Sequence, residues 1–503
     1  MNGTMKARVL SVAACALLSW GAPACYAAVA TPVSNWSPEG VAPSQFSASE
    51  VLTQYGLRRR SAAAFVAHVT FRQGSDTAVM TLRKAGMAYR VDTDIDGAHY
   101  SMGRSAGRRW RQTPAGTVRA ILSDVQGDDL DRWPEAIVGF DGTSCTSGGT
   151  DAGHWVVACR STGDVPHWFF IDRQSGIIDR EVEREGSRVE TFRFDDFRQT
   201  PEGLLPFHWT VSGPQHDAEA TLTDVEPGAE NAADLAMPDS QVETFAMPAG
   251  ANAVDVHAGF NPAGGITVPI DIDGHLEHLV LDTGTTQMLM DVGEASRIGL
   301  HVKFDHAVAR TVTIGSLRAS AVPIQTVNLF NGRVTGIIGN EFFKGHVVHI
   351  DYAGDRVDVL SRSAFVPPES AIALQADCSE GMPLVAMRLG NATRTRVALD
   401  TGSGIVILAR TFFRGDDASP PIGSGFGRSS YMNFLEGPLL VRGAGQVSIG
   451  LGNVEIRNAP AAVEVDSRES LDLPLDGIVG TRVLSSFEIW IDYDRNRLWL
   501  RPR

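Results

Sequence analysis

The chain has 503 residues, 43% of them hydrophobic and 20% charged, a composition that excludes intrinsic disorder and a length that exceeds one ordinary hydrophobic core. Its formal net charge of −15 argues against nucleic acid or an anionic membrane surface as the principal partner, and is silent on fold.

Residues 1–28 read as a secretory signal peptide. Lys6 and Arg8 precede the apolar run "VLSVAACALLSWGAPA", and the small-residue stretch "CYAAVA" follows, with cleavage expected after Ala27 or Ala28. The run is too short to span a bilayer. Val12-Ala13-Ala14-Cys15 loosely resembles a lipoprotein acylation site, but the apolar stretch ahead of Cys15 is very short, so a lipid-anchored form is the weaker expectation. A secreted or periplasmic location follows from this signal. Of the remaining cysteines, Cys145 and Cys159 can close a short loop in an oxidising compartment, leaving Cys378 over. Their spacing does not suggest zinc.

Residues 35–228 carry a β pattern. "SASEVLTQYG" is the one helical stretch; "AAFVAHVTFRQG" alternates, and "TAVMTLRKAGMAYRVDTDIDG" reads as two strands turning near Gly86. "HWFFIDRQSGIIDREVEREG" and "SRVETFRFDDFRQTPEGLLPFHWTVSG" read as long hairpins with Gly, Asp or Ser at the turns. On "GRRWRQTPAG", "WFFIDRQSGIIDR" and "FDDFRQTPEGLLPFHW", this region resembles the periplasmic lipoprotein-carrier superfamily. That resemblance implies an antiparallel half-barrel around a lipid-sized groove, with a lipid or lipoprotein as partner. A generic β-sandwich is the plain alternative. Residues 229–253, rich in Ala, Pro, Gly and acidic side chains, read as a linker.

The remainder contains an internal repeat. "VPIDIDGHLEHLVLDTGTTQMLM" and "MPLVAMRLGNATRTRVALDTGSGIVIL" share a Pro-led strand, a Gly turn, a second strand and then Leu-Asp-Thr-Gly. "TGIIGNEFFKGHVVHIDYAGDRVDVL" matches "DGIVGTRVLSSFEIWIDYDRNRLWL", each with two branched apolar residues, a Gly, a short helical turn and Ile-Asp-Tyr on a strand. Asp282 and Gly339 are 57 residues apart and Asp400 and Gly480 are 80 apart, so the second copy is the longer. The copies span 254–366 and 367–503.

On these residues the C-terminal half resembles the aspartic proteases, most closely the bacterial retropepsin-like branch. The resemblance implies a bilobal acid-protease β-barrel domain in which Asp282 and Asp400 meet as a catalytic dyad. Thr283 and Thr401 would hydrogen-bond across the pseudo-twofold axis. Gly284 and Gly402 would let the backbone turn tightly beside the carboxylates, and Thr285 and Ser403 would donate to an outer carboxylate oxygen. Ile337-Ile338-Gly339 and Ile478-Val479-Gly480 would thread a strand behind each loop. The chemistry needs two carboxyls because, held close, they share one proton: one member activates water and the other protonates the carbonyl oxygen. No metal and no cofactor are required.

The resemblance also implies a flap. "PPIGSGFGRSSYMNFLEGPLLVRGAGQ" in the second copy is long and Gly-rich, with Tyr431 or Phe434 toward the tip, whereas "HVKFDHAVARTVTIGS" in the first is short. One flap is therefore expected, on the second lobe; a surface insertion is the alternative. His346 and His349 point to opposite faces of a strand, which speaks against a metal site. His275 and His278 flank Glu277 in a hairpin turn and read as solvated surface, as does Arg58-Arg59-Arg60.

The expected function is a secreted or periplasmic aspartic endopeptidase, monomeric, with its lobes paired within one chain because they differ in length. Its substrate is a peptide or protein bound as an added strand. The rival is a catalytically inactive lipid- or lipoprotein-binding envelope protein that uses the doubled module as scaffold.

Overall fold

The computed structural model describes residues 36–55, 64–121, 133–140, 144–160, 166–185, 188–201, 203–213, 217–228, 235–242, 244–262, 264–413, 429–434, 437–464 and 475–503. The signal segment, the acylation-like site at Cys15 and Arg58-Arg59-Arg60 lie outside these residues. The protein is mostly β, built from antiparallel sheets and closed barrels. It divides into two compact units: Ser240–Arg503 with Ala115–Thr117, and the described residues up to Asp239 without that tripeptide. No described helix is long and apolar enough to cross a membrane.

The N-terminal unit carries the helix Ala48–Gln54, started by the Ser47 hydroxyl, which accepts from the Glu50 N–H. Thirteen described strands follow as one antiparallel sheet in which Ala64–Gln73 pairs with Asp217–Pro227, joining the first six strands to the last seven. Cys145 and Cys159 are disulfide-bonded and Cys378 is free and buried. Part of the buried interior is ionic. Glu135, 1% exposed, takes both carboxylate oxygens to Arg104 (2.9 and 2.8 Å) and one to Arg109 (2.9 Å). Burial opposes its charge, but the two guanidiniums hold its pKa below the usual glutamate value. Glu181 accepts from the N–H groups of Glu135 and Ala136 and stands 2.9 Å from His167 Nδ1.

The C-terminal unit holds the two copies. In the first, seven described strands run in the order 259–260, 266–272, 275–281, 336–338, 289–291, 317–327, 306–314, and Ile266–Ile272 also pairs with His306–Ile314, closing a barrel. Val280 and Leu281 pair in parallel with Ile337 and Ile338, while Leu289 pairs antiparallel with Ile337. The second copy repeats this: Ala398 and Leu399 run parallel to Ile478 and Val479, Ile407 runs antiparallel to Ile478, and Met387 closes on Leu451. Alternating side chains of these strands form one continuous core, from Ile266, Val268 and Ile270 through Val397, Leu399 and Val406. Phe245, 1% exposed, joins that core, and Ala246 bridges to Arg318, so the end of the stretch read as a linker is packed structure.

A sheet common to both copies joins them. Val347–Asp351 of the first pairs with Phe487–Asp492 of the second, in register Val348↔Ile491 and His349↔Trp490. His349 stands 3.0 Å from Asp358 and 2.8 Å from Glu488, stacked on Trp490 with ring centroids 4.6 Å apart. His346 lies just before that strand, its Nε2 on the Phe245 carbonyl. Of the hairpin histidines, His275 and His278 are exposed, but Glu277 is buried and paired with Arg297.

Between the strands 289–291 and 306–314 the first copy inserts the helix Val292–Arg297. At the matching place, after Val406–Leu408, the second copy has the 3-10 turn Arg410–Phe413, and it then adds the strand Ser429–Phe434, which forms a hairpin with Gly437–Leu451 in register Tyr431↔Leu440 and Phe434↔Gly437. The extra length of the second copy thus includes an added antiparallel hairpin. Residues 420–428 and 435–436 of the expected flap lie outside the described residues, as do the side chains of Tyr431 and Phe434.

Candidate active site

Each Asp-Thr-Gly follows a strand that ends against its neighbour. Asp282 N–H donates to the Ile338 carbonyl and Asp400 N–H to the Val479 carbonyl, both at 3.0 Å. The short strands Ile337-Ile338 and Ile478-Val479 thus hold each loop from behind. Gly339 and Gly480 follow them because no side chain fits: a Cβ on Gly339 would overlap the Thr285 carbonyl, and one on Gly480 would stand 2.7 Å from the Ile405 nitrogen. The next residue ties back to the loop, Asn340 N–H to Thr285 O at 3.0 Å and Thr481 N–H to Ser403 O at 2.7 Å.

The loops are locked to each other by a reciprocal set of bonds. The Thr283 N–H donates to the Thr401 hydroxyl oxygen and the Thr401 N–H to the Thr283 hydroxyl oxygen, each at 3.0 Å. Each hydroxyl then donates across the axis, Thr283 to the Leu399 carbonyl (2.7 Å) and Thr401 to the Leu281 carbonyl (2.8 Å). Both threonines are almost fully buried, so every one of these groups depends on its partner in the other copy.

This lock brings Asp282 and Asp400 into side-chain hydrogen bonding. A Cβ on Gly284 would stand 2.9 Å from the Asp400 carboxyl carbon, and one on Gly402 would overlap the Asp282 carboxylate. Neither glycine has a positive φ. The chain turns here as expected, with Thr285 N–H returning to the Asp282 carbonyl at 3.4 Å, but what calls for glycine is room beside the carboxyls and not a positive φ.

The two carboxyls are supported differently. Asp282 accepts from the Gly284 N–H (2.7 Å) on one oxygen and from the Thr285 hydroxyl (3.0 Å) on the other. Asp400 accepts from two backbone N–H groups on a single oxygen, Gly402 at 2.7 Å and Ser403 at 3.2 Å. The Ser403 hydroxyl does not donate to the carboxylate as expected; it turns to the Ile405 carbonyl at 3.4 Å. The backbone N–H of the same residue already reaches Asp400, and the hydroxyl takes the acceptor left over. Burial first, then the charge and hydrogen bond of Asp282, push the Asp400 pKa well above the usual aspartate value.

Two residues outside the motif complete the surroundings. Tyr493, 1% exposed, donates from its hydroxyl to the Thr283 carbonyl at 3.1 Å, reaching from the second copy to the loop of the first. Its counterpart Tyr352 packs edge-on against Phe260 and its hydroxyl has no hydrogen-bond partner. The repeated Ile-Asp-Tyr was the sequence signal for both, although only one makes the contact. Glu341, beside Asn340, carries no such signal.

No family model matches the chain, and no curated protein is similar to it. Among solved structures, a crystal structure of a DUF1329 family protein from Desulfovibrio piger is 11% identical and covers 36% of this chain and 92% of its own, at a TM-score of 0.28. A likeness at that level carries no argument about fold or activity, and the site stands on its own geometry.

Proposed function

We propose that residues 254–503 are an aspartic endopeptidase of the retropepsin-like kind, working as a single chain and exported to the periplasm or beyond by the N-terminal signal. The observation that carries this is the pair of carboxyls held together by reciprocal threonine bonds, with Asp400 kept protonated beside Asp282. A water held between them loses a proton to the Asp282 carboxylate as its oxygen attacks the peptide carbonyl carbon. Asp400 gives its proton to the carbonyl oxygen, so the intermediate is a neutral diol. On collapse the C–N bond breaks, Asp282 returns its proton to the amine nitrogen, and Asp400 recovers one from the hydroxyl. The protonation cycle closes without metal or covalent intermediate. The hairpin 429–442 is the flap of this reading, with substrate laid between it and the dyad as an added strand.

The N-terminal unit fits the alternative of a lipid-binding partner domain less well, because the Arg104–Glu135–Arg109 and Glu181–His167 groups occupy interior that an acyl chain would need apolar.

The deciding experiment is cleavage of a mixed peptide library by the mature chain from acid to neutral pH, beside an Asp282→Asn/Asp400→Asn double variant. Cleavage by the wild type alone, blocked by pepstatin, supports the reading. Silence from a folded wild type with its N-terminal unit both present and proteolytically removed sinks it.

A further inference from the structure

Glu341 lies in the short helix Asn340–Phe343, 4% exposed, and neither of its carboxyl oxygens has a hydrogen-bond partner. Its counterpart in the second copy, Arg482, is exposed. Burial pushes its pKa up to about 7; the N–H groups of Glu341 and Met288, close to the carboxyl but outside hydrogen-bond geometry, act the other way. Met288 ends the loop that starts at Asp282. The preceding residue, Asn340, holds the Thr285 carbonyl, and the Thr285 hydroxyl holds Asp282. A carboxyl in a dry site thus touches the backbone that sets the position of one member of the dyad.

The titratable groups on the neighbouring elements are otherwise engaged. Asp282 is bonded within its loop; Lys344 pairs with Asp494 at 3.5 Å; His346 faces the Phe245 carbonyl; Tyr493, stacked on Phe343, is bonded to Thr283. None of them contributes to the titration of Glu341, so among the described residues no cation is at hand to receive its charge. An ionised carboxylate there must find water, and water reaches it only if helix or loop gives way.

We propose that Glu341 is a positioning residue for Asp282: as a neutral acid it lets the loop Thr283–Met288 stay closed, and its ionisation loosens that loop and switches the site off. For its effect on activity this rests on the peptidase reading. For its effect on the loop it does not.

The test compares the full chain with its Glu341→Gln variant, which keeps the shape and removes the proton, between about pH 5 and about pH 9. Amide exchange of the peptide spanning Thr283–Met290 is measured after correction for intrinsic rates, together with kcat/KM on a cleaved peptide. The wild type should lose protection by up to about tenfold per pH unit as pH rises toward the Glu341 titration at about 7 and level off above it, the variant should not, and its alkaline limb of kcat/KM should lie at higher pH. Equal protection profiles overturn the proposal. A limb that stays in place while protection differs overturns the link from loop to activity. A difference in protection with no cleavage by either protein supports control of the loop and removes the peptidase reading. Should Glu341→Gln not fold, Glu341→Met, apolar and of similar length, takes its place with the same outcomes.

Discussion

At the scale of single residues the site is two nearly equal halves with unequal protonation. Asp282 has acceptor bonds on both oxygens and Asp400 on one, which leaves Asp400 an oxygen free to carry the shared proton. Replacing either Asp by Asn should therefore lower kcat by about 10³-fold or more with the fold intact, read by peptide cleavage beside thermal melting. Thr283→Ala strands the Thr401 N–H and the Leu399 carbonyl, both buried, and should cost about 1–3 kcal/mol in denaturant unfolding of the C-terminal unit. The Asp-Thr-Gly pair and its apolar approach strands were plain in the sequence because their spacing repeats. The direction of the Ser403 hydroxyl was not, since a hydroxyl between two acceptors is decided by fractions of an ångström that no motif encodes.

At the scale of elements, what the repeat made legible was the strand behind each loop and the closing barrel pair. The added hairpin Ser429–Phe434 with Gly437–Leu451 was readable from its glycines and its length. Interior charge in the N-terminal unit was not. "REVERE" alternates as a solvated strand would, yet Glu181 and Glu183 are buried, because Arg104 and Arg109 come from strands distant in sequence and His167 faces them from the other arm of the same hairpin. Removing one partner of that group is costly: Arg104→Met should destabilise the N-terminal unit by about 3–5 kcal/mol, seen as an earlier transition of that unit alone in calorimetry. Tyr493→Phe deletes one bond from the second copy to the loop of the first and should cost about 1 kcal/mol, whereas Tyr352→Phe should cost nothing measurable, since the Tyr352 hydroxyl has no partner.

At the scale of the molecule, three described carboxyls of the C-terminal unit, Asp400, Glu341 and Asp492, have folded pKa values above their ordinary ones. Their contribution to stability is complete below the ordinary carboxylate range and is lost as pH rises through the raised values, at about 7 for Glu341. That residue alone is worth about 3 kcal/mol over this window. The melting temperature of the unit should accordingly fall from pH 5 to pH 8, and the Glu341→Gln variant should fall less. Because both halves of the dyad sit on one chain and share the sheet through Val348↔Ile491, specific activity should not change on dilution, in contrast to a site that dissociates. The single chain has one more consequence. In a homodimer every mutation is expressed twice, so the two sides of the axis are bound to change together. A duplicated gene is released from that rule, and Thr285 could keep its hydroxyl on one carboxylate while Ser403 turned its own away, a division of labour that no twofold-symmetric ancestor could have inherited.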